Sequence, residues 1–392
     1  MSTPIRLESG LQPSPLGTNT LPDIGGATIS PATYHHYSVK PGSGDSGDSG
    51  NSGVAIAGRS VDLTAPERTP INKRASCHSP SLSTTEKAIV QLLPMAEPVE
   101  STKINEGECA RVKKLSDGQQ TVAVKLLKDE IINMERKHLR EKKGEVLGLN
   151  LPNHPNIVET LAILIQHEAN NEYRLIKQSV PDFSLSCYKI LACVLEYVDA
   201  SDLCDSISDE KAQPGFQLAV DVGRKICDAL MCIHEQDMVH RDIKPENILY
   251  APPEAPGEES TVKLTDMGFT KQLKQGDYTR TSCGTPDYTA PEIIFDKKHD
   301  HTADAWSLGV LLFVLYTGGR LYDSDDEFSV LKEINRFSQK NEAEKRLYML
   351  SKDRSISPEL LNIILSLFQK PKQRMTVKAA KEALDRLQVS KQ

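Results

Sequence analysis

No stretch constrains the fold of this chain more than HRDIKPENILY, residues 240 to 250. It lies between a helical pattern and the short apolar run NILY, so it reads as a loop. That loop gathers an aspartate, a lysine and an asparagine, Asp242, Lys244 and Asn247, into one compact turn. Two more polar residues close strand-like runs: Lys125 ends VAVK, and Asp266 stands at the turn of VKLTDMG. Around them the pattern changes once along the chain. Short β-branched runs (ARVKKL, TVAVKLL, LAILIQ, ILACVLEYV) come first, with a charged helical stretch from about Asp129 to Leu149 among them. After Asp202 the pattern is mainly helical: FQLAVDVGRKICDALMCIHEQ, HTADAWSLGVLLFVLYTG, SPELLNIILSLFQ and TVKAAKEALDRL. Strands first and helices later predict an α+β protein, a small sheet-rich lobe joined to a larger helical lobe. A cleft between two lobes is the default place for a ligand.

The 392 residues suffice for one large domain or two medium ones plus a tail. Residues 1–95 differ from the rest. They are rich in Ser, Thr, Pro and Gly, include the tract GSGDSGDSGNSG, and hold only Tyr34 and Tyr37 as aromatics. Such a segment cannot bury enough apolar area to offset its ordering entropy, so it is expected to be a flexible tail. At its end, SLSTTEKAIVQLLP predicts a short helix, with Ser83 and Glu86 at capping-box spacing and Pro94 as the stop. A net charge of −7 argues against a dedicated nucleic-acid binder. The longest apolar run, Leu308 to Tyr316, holds nine residues, whereas a membrane span needs about 20. No secretory signal pattern opens the chain. The eight cysteines form no C-x-x-C pair, which points to reduced thiols in a cytoplasmic setting.

Six motifs, VAVK, HRDIKPEN, TDMG, CGTPDYTAPE, DAWSLG and KPKQRM, occur in this order. Together they resemble the signature set of the protein-kinase family. The resemblance covers roughly Glu97 to Leu387 and implies a bilobal fold. Its N-lobe would span about residues 96–198 and its C-lobe about 199–388. Lysine two residues after Asp242 is similar to eukaryotic-type serine/threonine kinases, including the calcium/calmodulin-kinase-like and AGC-like groups.

The resemblance also implies roles. Phosphoryl transfer needs neutralised charge and aligned oxygens more than covalent help. Lys125 would pair with the α- and β-phosphates of ATP, held by Glu145, which stands nine residues before His154 of HPNIV. Glu135 and Glu141 are rivals on the same charged stretch. Asp242 would accept or orient the proton of a Ser or Thr hydroxyl in a protein substrate. Lys244 would touch the transferred phosphate, and Thr285 would help seat the acceptor. Asn247 and Asp266 would hold Mg2+, or Mn2+, through oxygen. The hinge LEYVDASD would offer adenine the carbonyl of Glu196 and the amide of Val198, behind Leu195. Val112, Ala123 and Leu249 would sandwich the ring. Glu292 and Arg374 would hold shape, Asp304 would anchor the catalytic-loop backbone, and Trp306 would be core.

Two departures from the family pattern stand out. In INEGECARV, Asn105 and Ala110 occupy the usual first and third glycine places and only Gly107 is kept. This predicts a poorer lid over the phosphates, since glycine allows unusual dihedrals and close approach. Met267 replaces the usual phenylalanine, and its adaptable thioether is expected to stack with Leu149 and His240. No charge of the set is lost, which favours an active enzyme over a kinase-like scaffold.

Regulation and substrates follow the same resemblance. Arg241 would clamp a phosphate on Thr281, with Thr279 and Ser282 as neighbours. Glu246 and Asp202 match acids that pair with arginine upstream of the target residue. Residues 166–188 and 251–260 read as long connections. The chain ends soon after its last helical pattern, so no further regulatory domain is expected. The N-terminal region resembles both an ordinary regulatory tail and the secretion region of bacterial effector kinases.

Overall fold

The computed structural model describes residues 82–93, 95–96, 100–107, 109–133, 144–177, 187–255, 257–273, 278–279, 284–295, 298–322, 324, 326–337, 345, 347 and 357–389. The first element is helix α1, Thr84–Leu92. The Ser83 hydroxyl accepts the Glu86 amide, and the Glu86 carboxylate accepts the Ser83 amide, which closes the capping box read from sequence. Strands β1 (Glu100–Glu106), β2 (Ala110–Ser116) and β3 (Thr121–Leu127) follow, then the short helix α2, Asp129–Ile132. Residues 144–147 are helical and run into a 3-10 turn, Gly148–Asn150. Strands β4 (Thr160–His167), β5 (Tyr173–Ile176) and β6 (Tyr188–Glu196) complete an antiparallel sheet of order β1-β2-β3-β6-β4-β5.

Side chains alternate across this sheet, as the period of two requires. Val122, Val124, Ala162, Leu164 and Val194 face one side, where they pack with Ala88, Ile89 and Leu93 of the α1 segment. Ile89 is wholly buried. Among the described residues, packing against the sheet thus begins at Leu82, ahead of the expected boundary at residue 95. Glu86 is also wholly buried, yet it is satisfied by Ser83, by Ser101 Oγ at 3.0 Å and by Lys113 Nζ at 3.0 Å. The long connection after β4 contributes β5 as an extra edge strand. That strand escaped the sequence reading because four residues, YRLI, lie between turn signals.

The helical lobe contains β7 (Ser201–Asp202), α3 (Leu203–Ser208), α4 (Phe216–Glu235), β8 (Met238–Val239), β9 (Ile248–Ala251), β10 (Thr261–Leu264) and β11 (Lys271–Gln272). Helices α5 (Pro291–Ile294), α6 (Thr302–Thr317), α7 (Glu327–Phe337), α8 (Pro358–Leu367) and α9 (Val377–Val389) complete it. Helix α6 is buried on all sides from Ala303 to Phe313, as a helix apolar all round must be. Trp306 is core, its ring 4.9 Å from that of Phe368 and tilted against it by 60°. Arg374 forks onto Glu292, with Nη2 3.0 Å from Oε2, and its remaining donors reach the carbonyls of Thr302 and Gln369. The 251–260 connection is fastened to α4 by Lys225, whose Nζ donates to the Ser260 carbonyl at 2.9 Å. No helix among the described residues is long and apolar enough to cross a membrane.

Candidate active site

The sheet face away from α1 carries the first half of the site. Val112 lies opposite Lys125, Lys125 opposite Cys193, and Ala123 opposite Leu195, so these residues share that face. Lys125 Nζ lies 2.6 Å from Glu145 Oε1 and 2.7 Å from Asp266 Oδ1. One ammonium thus ties the sheet lobe to the helical lobe. Glu145, from the helical residues 144–147, is the carboxylate that meets Lys125; Glu135 and Glu141 lie outside the described residues. Cys193, wholly buried, lies opposite Lys125, and burial, reinforced by the Glu145 charge, pushes its thiol well above the ordinary range. Sequence reading missed it, because a cysteine inside ILACVLE looks like any small apolar residue.

Burial alone would lower the Lys125 pKa, but the Asp266 and Glu145 carboxylates keep it well above its ordinary value. Burial raises Glu145, reinforced by Asp266 and opposed by Lys125. Asp266 also feels burial, but Lys125 and the Gly268 amide hold its carboxyl well below the usual range.

The helical lobe supplies the second half. Asp304, wholly buried at the start of α6, accepts the His240 amide at 2.9 Å, the Arg241 amide at 2.8 Å and bonds His234 Nε2 at 2.8 Å. Those bonds hold Arg241 at φ 71°, in the left-handed region. The loop then presents Asp242. Its Oδ2 accepts Asn247 Nδ2 at 2.7 Å and lies 3.4 Å from Lys244 Nζ, and its Oδ1 accepts the Thr285 amide at 3.2 Å. Lys244 Nζ donates to Thr285 Oγ1 at 2.7 Å. Gly284, at φ 93°, makes this approach possible: a Cβ there would come 2.7 Å from the Arg241 carbonyl.

Asp266, also left-handed at φ 65°, uses Oδ1 for Lys125 and the Gly268 amide. The Asn247 amide nitrogen is committed to the Asp242 carbonyl and carboxylate. Asp266 Oδ2 and Asn247 Oδ1 accept no side-chain hydrogen bond among the described residues. Two hard oxygens of this kind fit a magnesium ion.

The remaining expected residues fall as follows. Asn105 lies opposite Val112 and is exposed, while Ala110 is buried; the Gly107 amide donates to the Ala110 carbonyl at 2.9 Å and closes the turn. Glu196 Oε1 accepts Lys263 Nζ at 2.6 Å, and the Val198 carbonyl accepts the Ala200 amide at 2.9 Å. Leu249 lies on β9 opposite Asp202. Met267 is buried beside Gly148 with its sulfur accepting from Thr270 Oγ1 at 3.4 Å. Leu149 packs elsewhere, with Ile163, Ile165 and Cys193, so the expected stack is divided between two clusters. Thr281 and Ser282 lie outside the described residues. Thr279 is buried, bonded by Lys271 Nζ and bridged to His299 through the backbone. Arg241 Nε donates to the Phe269 carbonyl at 2.8 Å, and its buried Nη1 has no partner among the described residues.

Lys125, held between carboxylates from both lobes, and the Asp242–Lys244–Asn247 loop are the features to set beside known families. The family description "Protein kinase domain" matches residues 99–385, and the chain belongs to that family. A Clostridium perfringens protein named as a probable serine/threonine-protein kinase is 33% identical over 223 residues, 56% of this chain and 28% of that protein. CBL-interacting protein kinase 9 of Oryza sativa is 31% identical over 237 residues, 59% of this chain and 46% of that protein. Human calcium/calmodulin-dependent protein kinase type IV is 32% identical over 219 residues, 55% of this chain and 40% of that protein. The chain spans less than half the length of each of these relatives.

Proposed function

We propose that this protein transfers the γ-phosphoryl group of ATP to serine or threonine hydroxyls of protein substrates. The observation that carries the reading is the meeting of Lys125 with Glu145 and Asp266 across the lobes, at 2.6 and 2.7 Å. Lys125 binds the α- and β-phosphates. Asp242 receives the hydroxyl proton and orients the nucleophile, Lys244 contacts the transferred group, and Thr285 positions the acceptor. Asn247 and Asp266 would hold the metal; magnesium, when bound, neutralises phosphate charge. Adenine lies against Val112, Ala123 and Leu249 and meets the backbone of Glu196 and Val198. Asn105 and Gly107 cover the phosphates.

Incubation with γ-labelled ATP and a substrate protein tests this. Wild type labels Ser or Thr, and Asp242→Asn is slower by about 10²–10⁴-fold, the usual contribution of a general base, while still binding nucleotide. Equal labelling by both would overturn the proposal. Mass spectrometry of the same reaction reads autophosphorylation at Thr281, which the buried Nη1 of Arg241, without a partner among the described residues, supports. An unmodified but fully active protein removes that part.

The substrates preferred carry arginine upstream of the acceptor. Support comes from Glu246, whose buried Oε2 has no partner among the described residues and whose pKa burial pushes up. Asp202 stands nearby on β7 with its pKa likewise raised by burial. A peptide array indifferent to arginine on that side would reject this. Cys193, Cys204, Cys227 and Cys232, free thiols among the described residues, support a cytoplasmic setting, in the cell of origin or, for an effector, in a host. A reporter fused to residues 1–95 and assayed for translocation decides between those two.

A further inference from the structure

Glycine flanks Glu145 in the sequence GEVLG, at Gly144 immediately before it and at Gly148 a turn later. Alanine is the better helix former at such places. Neither glycine has a positive φ, so backbone conformation gives no reason for the choice. Space does. A Cβ on Gly144 would lie 2.2 Å from the Met267 carbonyl oxygen and 2.5 Å from that of Gly268. Both are main-chain atoms of the turn that carries Asp266, and neither can rotate away. A Cβ on Gly148 would lie 2.5 Å from Thr160 Oγ1 on β4 and 3.5 Å from Met267 Cγ. On the other side of the contact, a Cβ on Gly268 would lie 3.4 Å from Glu145 Oε1. The helical segment therefore rests on the Asp266 turn at a depth that only a bare backbone allows.

We propose that Gly144 is a positioning residue: by having no side chain it sets how deeply the Glu145 segment seats on the Asp266–Gly268 turn. That depth lets Lys125 reach both carboxylates at once. Gly148 supports the same depth from the β4 side. A side chain at 144 lifts Glu145 away from Lys125, so the ammonium that must face the phosphates is no longer held from behind. The inference rests on the proposed phosphoryl transfer for its kinetic readout.

The test compares Gly144→Ala, Gly148→Ala, Glu145→Gln and their combinations in the full chain. Gly144→Ala is expected to lower kcat at least tenfold at a temperature well below its own Tm, where circular dichroism shows the fold retained. Adding Glu145→Gln to Gly144→Ala costs little more, since both break one pair. Hydrogen exchange across 144–150 quickens on Gly144→Ala. Gly148→Ala gives a smaller loss, and Thr160→Ala restores it by removing the hydroxyl it meets; Thr160→Ala does nothing for Gly144→Ala, whose obstacle is main chain. Wild-type kcat in Gly144→Ala overturns the inference, as does a loss that adds fully to Glu145→Gln. Failure of the underlying activity shows separately, as an Asp242→Asn variant no slower than wild type.

Discussion

Asp304 never faces the cleft, yet it sets the backbone on which Asp242 stands. It is wholly buried and bonds two successive amides and the His234 ring. Burial would raise its pKa, but His234, His240 and the Arg241 amide hold it below the ordinary value. A carboxyl with a depressed folded pKa adds stability above its unfolded pKa of about 3.9, and that stability is lost as pH falls through the folded pKa. Asp304→Asn is therefore expected to cost about 2–3 kcal/mol at pH 7, the scale of hydrogen bonds to a charged group. Urea unfolding across pH should show the difference from wild type shrinking below about pH 4. A difference that stays constant with pH would contradict the assignment. At this scale the charged groups were legible, because chemistry fixes both their type and their spacing. Lys125, Glu145 and Asp266 meet where their motifs imply. Cys193 and Gly144 were not legible. A thiol in a strand reads as packing, and the reason for a glycine lies in a carbonyl far along the chain.

At the scale of elements, α1 is the main addition. Its capping box and apolar spacing were readable, but its docking was not, since periodicity shows a stripe without showing what covers it. Ile89 is its anchor, wholly buried against the sheet. Ile89→Ala should destabilise the protein by about 2–5 kcal/mol, the range for large-to-small core changes, measured by denaturant unfolding. A change near zero would mean that α1 does not stay on the sheet in solution. Strand β5 makes the same point: its four residues were too few to carry a pattern, and only pairing with β4 reveals them.

At the scale of the molecule, the order of strands and helices foretold two lobes because each segment's apolar period dictates which layer it can join. One contact between the lobes is electrostatic, Lys125 on one side and Asp266 on the other, with the Asp266 side chain still 35% exposed. Arg374 and Glu292 lock the segment after Gly284 to the helical core far from that contact. If the protein transfers phosphate as proposed, nucleotide phosphates sit between Lys125 and Lys244. An acyl-phosphate derivative of ATP, which hands its acyl group to an amine lying beside the phosphates, tests it without relying on turnover. Peptide mapping should find Lys125 and Lys244 acylated ahead of all other lysines, with excess MgATP protecting both. Labelling spread evenly over surface lysines, or labelling of Lys125 that ATP fails to suppress, would contradict it.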